Sequence, residues 1–184
     1  MRDTTGDSTF NPDVDKLKKF LPGTFPAYIS GFEYYQPEGN DSKVCRYTFK
    51  LAQETGTITV TDPETGEEMP ATHMVGKEFT LGKDASVWLC EEPAEGDGWK
   101  NGKYIEFHED CLGLKFPRKT VEGVEIIQVQ AVEEEDVIGI PVWVETKDEL
   151  ASNGKSYMKV QKVKLWTDVE KKTKEQLEED NLPF

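Results

Sequence analysis

From residue 24 onward, apolar and polar positions alternate with a period of two, the pattern of strands that lay one face on a core. The first such stretch, 25–35, is rich in aromatic residues, and a polar turn at 36–41 leads from it into a second stretch, 44–52. There Cys45, Tyr47, Phe49 and Leu51 share one face while Arg46, Thr48 and Lys50 share the other. The two stretches predict a β-hairpin with the first set turned inward. Gly31 interrupts the first strand, where strongly coiled sheets place a bulge, so Phe32, Tyr34 and Tyr35 are expected to change faces there. A third strand is expected at 57–61, at 71–81, or at both around the turn 62–66. Tyr104, Ile105, Phe107, His108, Cys111 and Leu112 are spaced for one face of a short helix, which Gly113 and Pro117 would end. Strands are predicted again at 124–132, 137–145 and 156–167, the last entered through the Asn153-Gly154 turn. Upstream of the strands, a short helix opening near Pro12 and closing before Pro22-Gly23 would form an arm.

Three strands, a helix, then two or more strands describe a mainly β protein. The order fits an OB-like five-stranded barrel with one short helix between strands 3 and 4, long loop insertions and a charged C-terminal tail. A β-sandwich satisfies the periodicity nearly as well. At 184 residues the chain suits one domain, divided here into an arm over 1–24, a barrel domain over 25–168 and an acidic tail over 169–184.

Composition narrows the chemistry. With 36% hydrophobic and 32% charged residues the chain is expected to fold and to be soluble. No apolar run approaches the roughly 20 residues of a membrane span, so no membrane partner and a cytoplasmic location are expected. Cys45, Cys90 and Cys111 are an odd number at wide spacings, and His73 and His108 have no neighbouring ligand, so neither a disulfide framework nor a metal site is expected. The sequence has no phosphate-cradling glycine loop and no nucleophile beside an obvious base. No cofactor and no enzymatic activity are expected.

A net charge of −14 argues at first against a nucleic-acid ligand. Its distribution changes that. Three loop-like runs carry most of the excess: Asp62, Glu64, Glu67 and Glu68; Glu91, Glu92, Glu95 and Asp97; and Glu133, Glu134, Glu135 and Asp136. Screening confines each run to a reach of about 10 Å, so a locally cationic groove can coexist with an acidic chain.

The run Asp-Val-Ile-Gly-Ile-Pro-Val-Trp-Val at 136–144, the Asn-Gly turn and closing strand after it, and the ending Asp180-Asn181-Leu182-Pro183-Phe184 together resemble a phage-type single-stranded DNA-binding protein. Bacterial single-stranded DNA-binding proteins end similarly, in acids followed by an aliphatic residue, Pro and a terminal Phe. The close likeness covers about the last seven residues. The chain departs from the family in its short linker and in the acidic insertions at 62–68 and 91–102. The resemblance implies a protein of the cytoplasm, or of a host's cytoplasm if viral. It would coat and protect single-stranded DNA during replication, recombination or repair and recruit partners through its tip, as a monomer or a homo-oligomer. The tip has its own logic. Phe184 offers a ring and a carboxylate, Pro183 limits the entropy lost on docking, and Glu178, Glu179 and Asp180 are drawn to a basic rim, with Leu182 beside them. Alternatively Leu182 and Phe184 pack on the protein's own body.

Binding single strands without sequence preference takes cations for phosphates and aromatic faces for bases. Arg46 and Lys50, outward by alternation, are the first candidates for phosphate contact, and Lys159, Lys162 and Lys164 would line one wall. Tyr28, Phe32, Tyr34, Tyr35 and Trp143 are the stacking candidates, each with a core position as its alternative. Trp99 and Lys100 would form a clamp. A competing class is an acidic decoy that mimics DNA to inhibit a host nucleic-acid-binding protein, for which the negative charge would be the active feature.

Overall fold

A computed structural model describes residues 19–166. The arm helix expected from Pro12 falls largely outside these residues, and the tip Glu178, Glu179, Asp180, Leu182, Pro183 and Phe184 lies wholly outside them. The protein is mainly β. Its main antiparallel sheet is ordered β10-β9-β1-β2-β5, where β1 is Gly23–Tyr35, β2 Lys43–Leu51, β5 Glu78–Thr80, β9 Pro141–Leu150 and β10 Ser156–Leu165. The two-residue strand β6, Trp88–Leu89, also pairs with the start of β2, so the sheet holds six strands where five were expected.

The β1–β2 hairpin shows how sequence sets the two faces. Phe25, Ala27 and Ile29 are buried and Tyr28 is outward, as alternation requires. The register then passes from Ile29 opposite Phe49 to Gly31 opposite Thr48, leaving Ser30 as an extra residue. This bulge flips the strand: Phe32 and Tyr34 now turn inward, and Glu33 and Tyr35 outward. Gly31 suits the site because a Cβ there would lie 3.2 Å from Thr48 Cβ and Oγ1. On β2, Cys45, Tyr47, Phe49 and Leu51 are all buried. Each fully buried large side chain contributes roughly 1.5–3 kcal/mol of transfer free energy.

The edge strands of the sheet approach each other. Leu81 forms a parallel bridge with Val160, the Gly82 N–H donates to the Val160 carbonyl at 2.9 Å, and Lys159 Nζ donates to Thr80 Oγ1 at 2.8 Å. Between these edges in sequence comes the helix Gly102–Glu106, extended by a π-type turn Phe107–Cys111. It presses Tyr104, Phe107, His108 and Leu112 onto the core made by β1, β2 and β9.

The sequence reading needs correction in three places. The third strand divides: β3, Thr59–Thr61, and β4, Glu68–Pro70, make a two-stranded ladder of their own around the acidic turn, and only β5 joins the main sheet. The strand expected at 124–132 ends at Ile127. As β8, Val124–Ile127, it pairs with β7, Arg118–Val121, in a ribbon separate from the main sheet. The strand expected from 137 starts at Pro141, because Glu134–Val137 forms a helical turn held by a capping box of Glu133 and Asp136.

Candidate nucleic-acid interface

The outward positions of β1, β2, β9 and β10 form one continuous surface, and its rows follow from the strand register. Tyr28 stands between Lys50 and Pro141; Glu33 faces Arg46; Trp143 stands between Pro26 and Lys164; and Glu145 stands between Thr24 and Lys162. The Arg46 guanidinium sits 4.0 Å from the centroid of the Tyr35 ring, with Nη1 3.5 Å from Glu33. Trp143 packs against Trp166 at 5.9 Å between ring centroids. Two shallow hollows mark the surface. One, of about 580 Å³, lies along β2 and is lined by Gly31, Glu33, Arg46, Thr48, Thr80 and Glu134. The other, of about 330 Å³, is lined by Thr24, Trp143, Glu145, Lys162 and Lys164.

Of the residues singled out from sequence, Arg46, Lys50, Tyr28, Tyr35, Trp143 and Lys162 share this surface. Tyr34 does not, and Phe32 only borders the β2 hollow. The bulge turns both toward the core, where the Phe32 ring lies 4.7 Å from that of Tyr47 and the Tyr34 hydroxyl donates to the Val132 carbonyl at 2.9 Å. Lys159 is committed to Thr80 at the β5–β10 contact. Lys100 reaches Asp41 at 2.7 Å, tying the 36–42 turn to the helix entry, and leaves the neighbouring Trp99 indole exposed.

The charge balance of the surface is close to neutral. Arg46, Lys50, Lys147, Lys162 and Lys164 are offset by Glu33, Glu78, Glu134 and Glu145, with Lys147 lying 3.3 Å from Glu145. The acidic loop 91–97 and the Glu133–Asp136 turn hold most of their carboxylates in solvent. A strand laid on the surface would gain from a few phosphate contacts and from the rings of Tyr28, Tyr35 and Trp143.

Three arrangements beneath the surface escaped the sequence reading. His108 is fully buried; its Nδ1 lies 2.7 Å from the Tyr104 carbonyl and its Nε2 2.6 Å from the Tyr47 hydroxyl. A carbonyl only accepts, so Nδ1 carries the proton and Nε2 accepts from Tyr47. Burial pushes the imidazole down to about 4, which keeps the ring neutral. Tyr104 extends the network, donating to the Gln130 carbonyl at 2.7 Å and accepting from the Val132 N–H at 2.9 Å. Asn101, also buried, clamps both backbone groups of Cys90, at 2.8 and 2.9 Å. Glu109 takes a two-pronged ion pair from Arg118 and accepts the Phe116 N–H at 2.9 Å, which holds its carboxyl at about 2. These groups connect elements, and of them Asn101 and Cys90 also line a hollow beside the β7–β8 ribbon. No His, Cys, Asp and Glu cluster suited to a metal occurs among the described residues, and no described helix is long and apolar enough to cross a membrane.

No protein-family model matches the chain, and no curated protein matches it in sequence.

Proposed function

We propose that the chain binds single-stranded DNA on the outer face of an OB-like barrel and recruits partner proteins of replication, recombination or repair through the acidic segment 178–184. The barrel reading is supported by the antiparallel order β10-β9-β1-β2-β5 and by the parallel contact of Leu81, just after β5, with Val160 of β10, which brings the two edges of the sheet together. The observation that carries the ligand is the outward row of Tyr28, Tyr35 and Trp143 interleaved with Arg46, Lys50 and Lys162. Rings supply sequence-tolerant stacking, worth ~1–3 kcal/mol per base, and the cations follow the phosphates. Both surface hollows are open troughs that suit an extended strand better than an enclosed small molecule.

The test is oligo(dT) binding by the full chain and by Tyr28→Ala, Trp143→Ala and Arg46→Ala. Weaker binding by each variant, measured where a thermal melt shows it folded, supports the reading; equal binding by all three contradicts it. One observation favours a second reading, a DNA mimic. The carboxylates of the three acidic runs are mostly exposed on loops, where they could engage a basic protein. Such a mimic would ignore oligo(dT).

A further inference from the structure

We propose that the hollow between the β7–β8 ribbon and the loop 90–98 docks an extended basic, aliphatic peptide segment of another protein. The hollow measures about 730 Å³, and its apolar lining includes Ile105, Ile126, Ile127 and Val129. Glu91 and Glu125 stand exposed at its border.

The ribbon register places Lys119, Val121, Val124 and Ile126 on one face, since Lys119 is opposite Ile126 and Val121 opposite Val124. Val121, Val124 and Ile126 are 41%, 62% and 41% exposed. Single exposed apolar residues are ordinary. Three of this size on one face of a ribbon that borders the hollow are a patch of the kind that marks an interaction site.

Charge selects the occupant. Glu91 is held by Lys43, and Glu125 lies 3.7 Å from Arg118, while Glu92 and Glu95 project from the same loop into solvent. This border repels a phosphate backbone and attracts lysine or arginine flanking an aliphatic anchor. A second copy of the chain fits poorly, because it brings a net charge of −14. Three side chains also fall well short of the ~800 Å² per partner of a stable interface. Backbone geometry selects the form. Among the described residues the ribbon pairs with no third strand, so a peptide can add along an edge and alternate aliphatic side chains inward with cations outward. The proposal is independent of the DNA reading.

The probe is a fluorescent peptide alternating lysine with valine and isoleucine, compared by anisotropy with a control in which serine replaces each aliphatic residue at equal charge. At about 0.15 M salt, which screens simple charge attraction, the aliphatic peptide is expected to bind about tenfold or more tighter than the control. Val121→Ser and the double variant Val124→Ser/Ile126→Ser alter exposed side chains, so the fold should persist, as a thermal melt verifies. Each is expected to weaken peptide binding about fivefold or more and to leave oligo(dT) affinity unchanged. Equal affinity for the two peptides, or no effect of the variants, overturns the proposal. Self-association that Val124→Ser abolishes also overturns it, by giving the patch to a second copy.

Discussion

Tyr28 and Tyr35 stand on the outer surface while Phe32 and Tyr34, between them in sequence, do not, and a single extra residue at the bulge makes the difference. Tyr28→Ala and Tyr35→Ala should each weaken oligo(dT) binding roughly 5- to 150-fold, the equivalent of one lost stacking contact. Phe32→Leu should leave affinity unchanged and lower stability, because its ring packs on Tyr47. Fluorescence titration and urea unfolding of the three variants check this. The flip was legible in the sequence because Gly31 announces it. The His108 network was not: its partners Tyr47 and Tyr104 meet only through the fold, and a buried neutral imidazole leaves no mark on local periodicity. It does leave a mark on pH dependence. His108 is held near 4 when folded and returns to about 6.5 when unfolded, so the unfolded chain binds the proton more tightly. Its contribution to stability is present above pH 6.5 and is lost as pH falls toward 4, by an amount on the order of 3 kcal/mol. Urea unfolding between those pH values measures it. Tyr47→Phe removes the donor to Nε2 and should cost about 1–3 kcal/mol at neutral pH.

The two hairpins of the main sheet were readable from alternation and turn chemistry, and the Asn153-Gly154 turn, with Gly154 at φ +83°, is where β9 gives way to β10. The β7–β8 ribbon was not. Arg118–Val121 has no inward face to pattern, and its turn is made by Glu122 and Gly123, both at positive φ, a signal easily lost between charged residues. The ribbon is anchored at its base by the Glu109–Arg118 pair. Glu109→Gln should therefore speed amide exchange of β7 and β8 while leaving the main sheet protected, as hydrogen exchange by mass spectrometry would show. The pair also has a pH signature. Glu109 falls from about 4.5 to about 2 on folding, so its stabilisation is present above 4.5 and is lost as pH drops toward 2. The ribbon should stay protected under mild acid that already loosens the His108 network.

Across the whole molecule, the net charge of −14 describes loops more than the surface proposed to meet DNA. The outer face offers Arg46, Lys50, Lys162 and Lys164, with Lys147 tied to Glu145, against Glu33, Glu78, Glu134 and Glu145, so few counterions would be released on binding. The log–log dependence of affinity on salt should be no steeper than about −3, the limit for four phosphate contacts on a single strand. Deleting 182–184 should abolish partner capture and leave oligo(dT) affinity unchanged or higher; retained capture would remove the docking role of the tip. Strand positions and faces could be argued from sequence because they rest on local alternation. The charge balance of the surface could not, because it depends on which strands become neighbours. The most direct measurement is a titration of fluorescent oligo(dT) with the full chain at low and moderate salt. The account predicts saturable binding at low salt that weakens modestly as salt rises and is reduced by Tyr28→Ala and Trp143→Ala. Absence of binding at low salt would contradict it and leave the acidic decoy as the better reading.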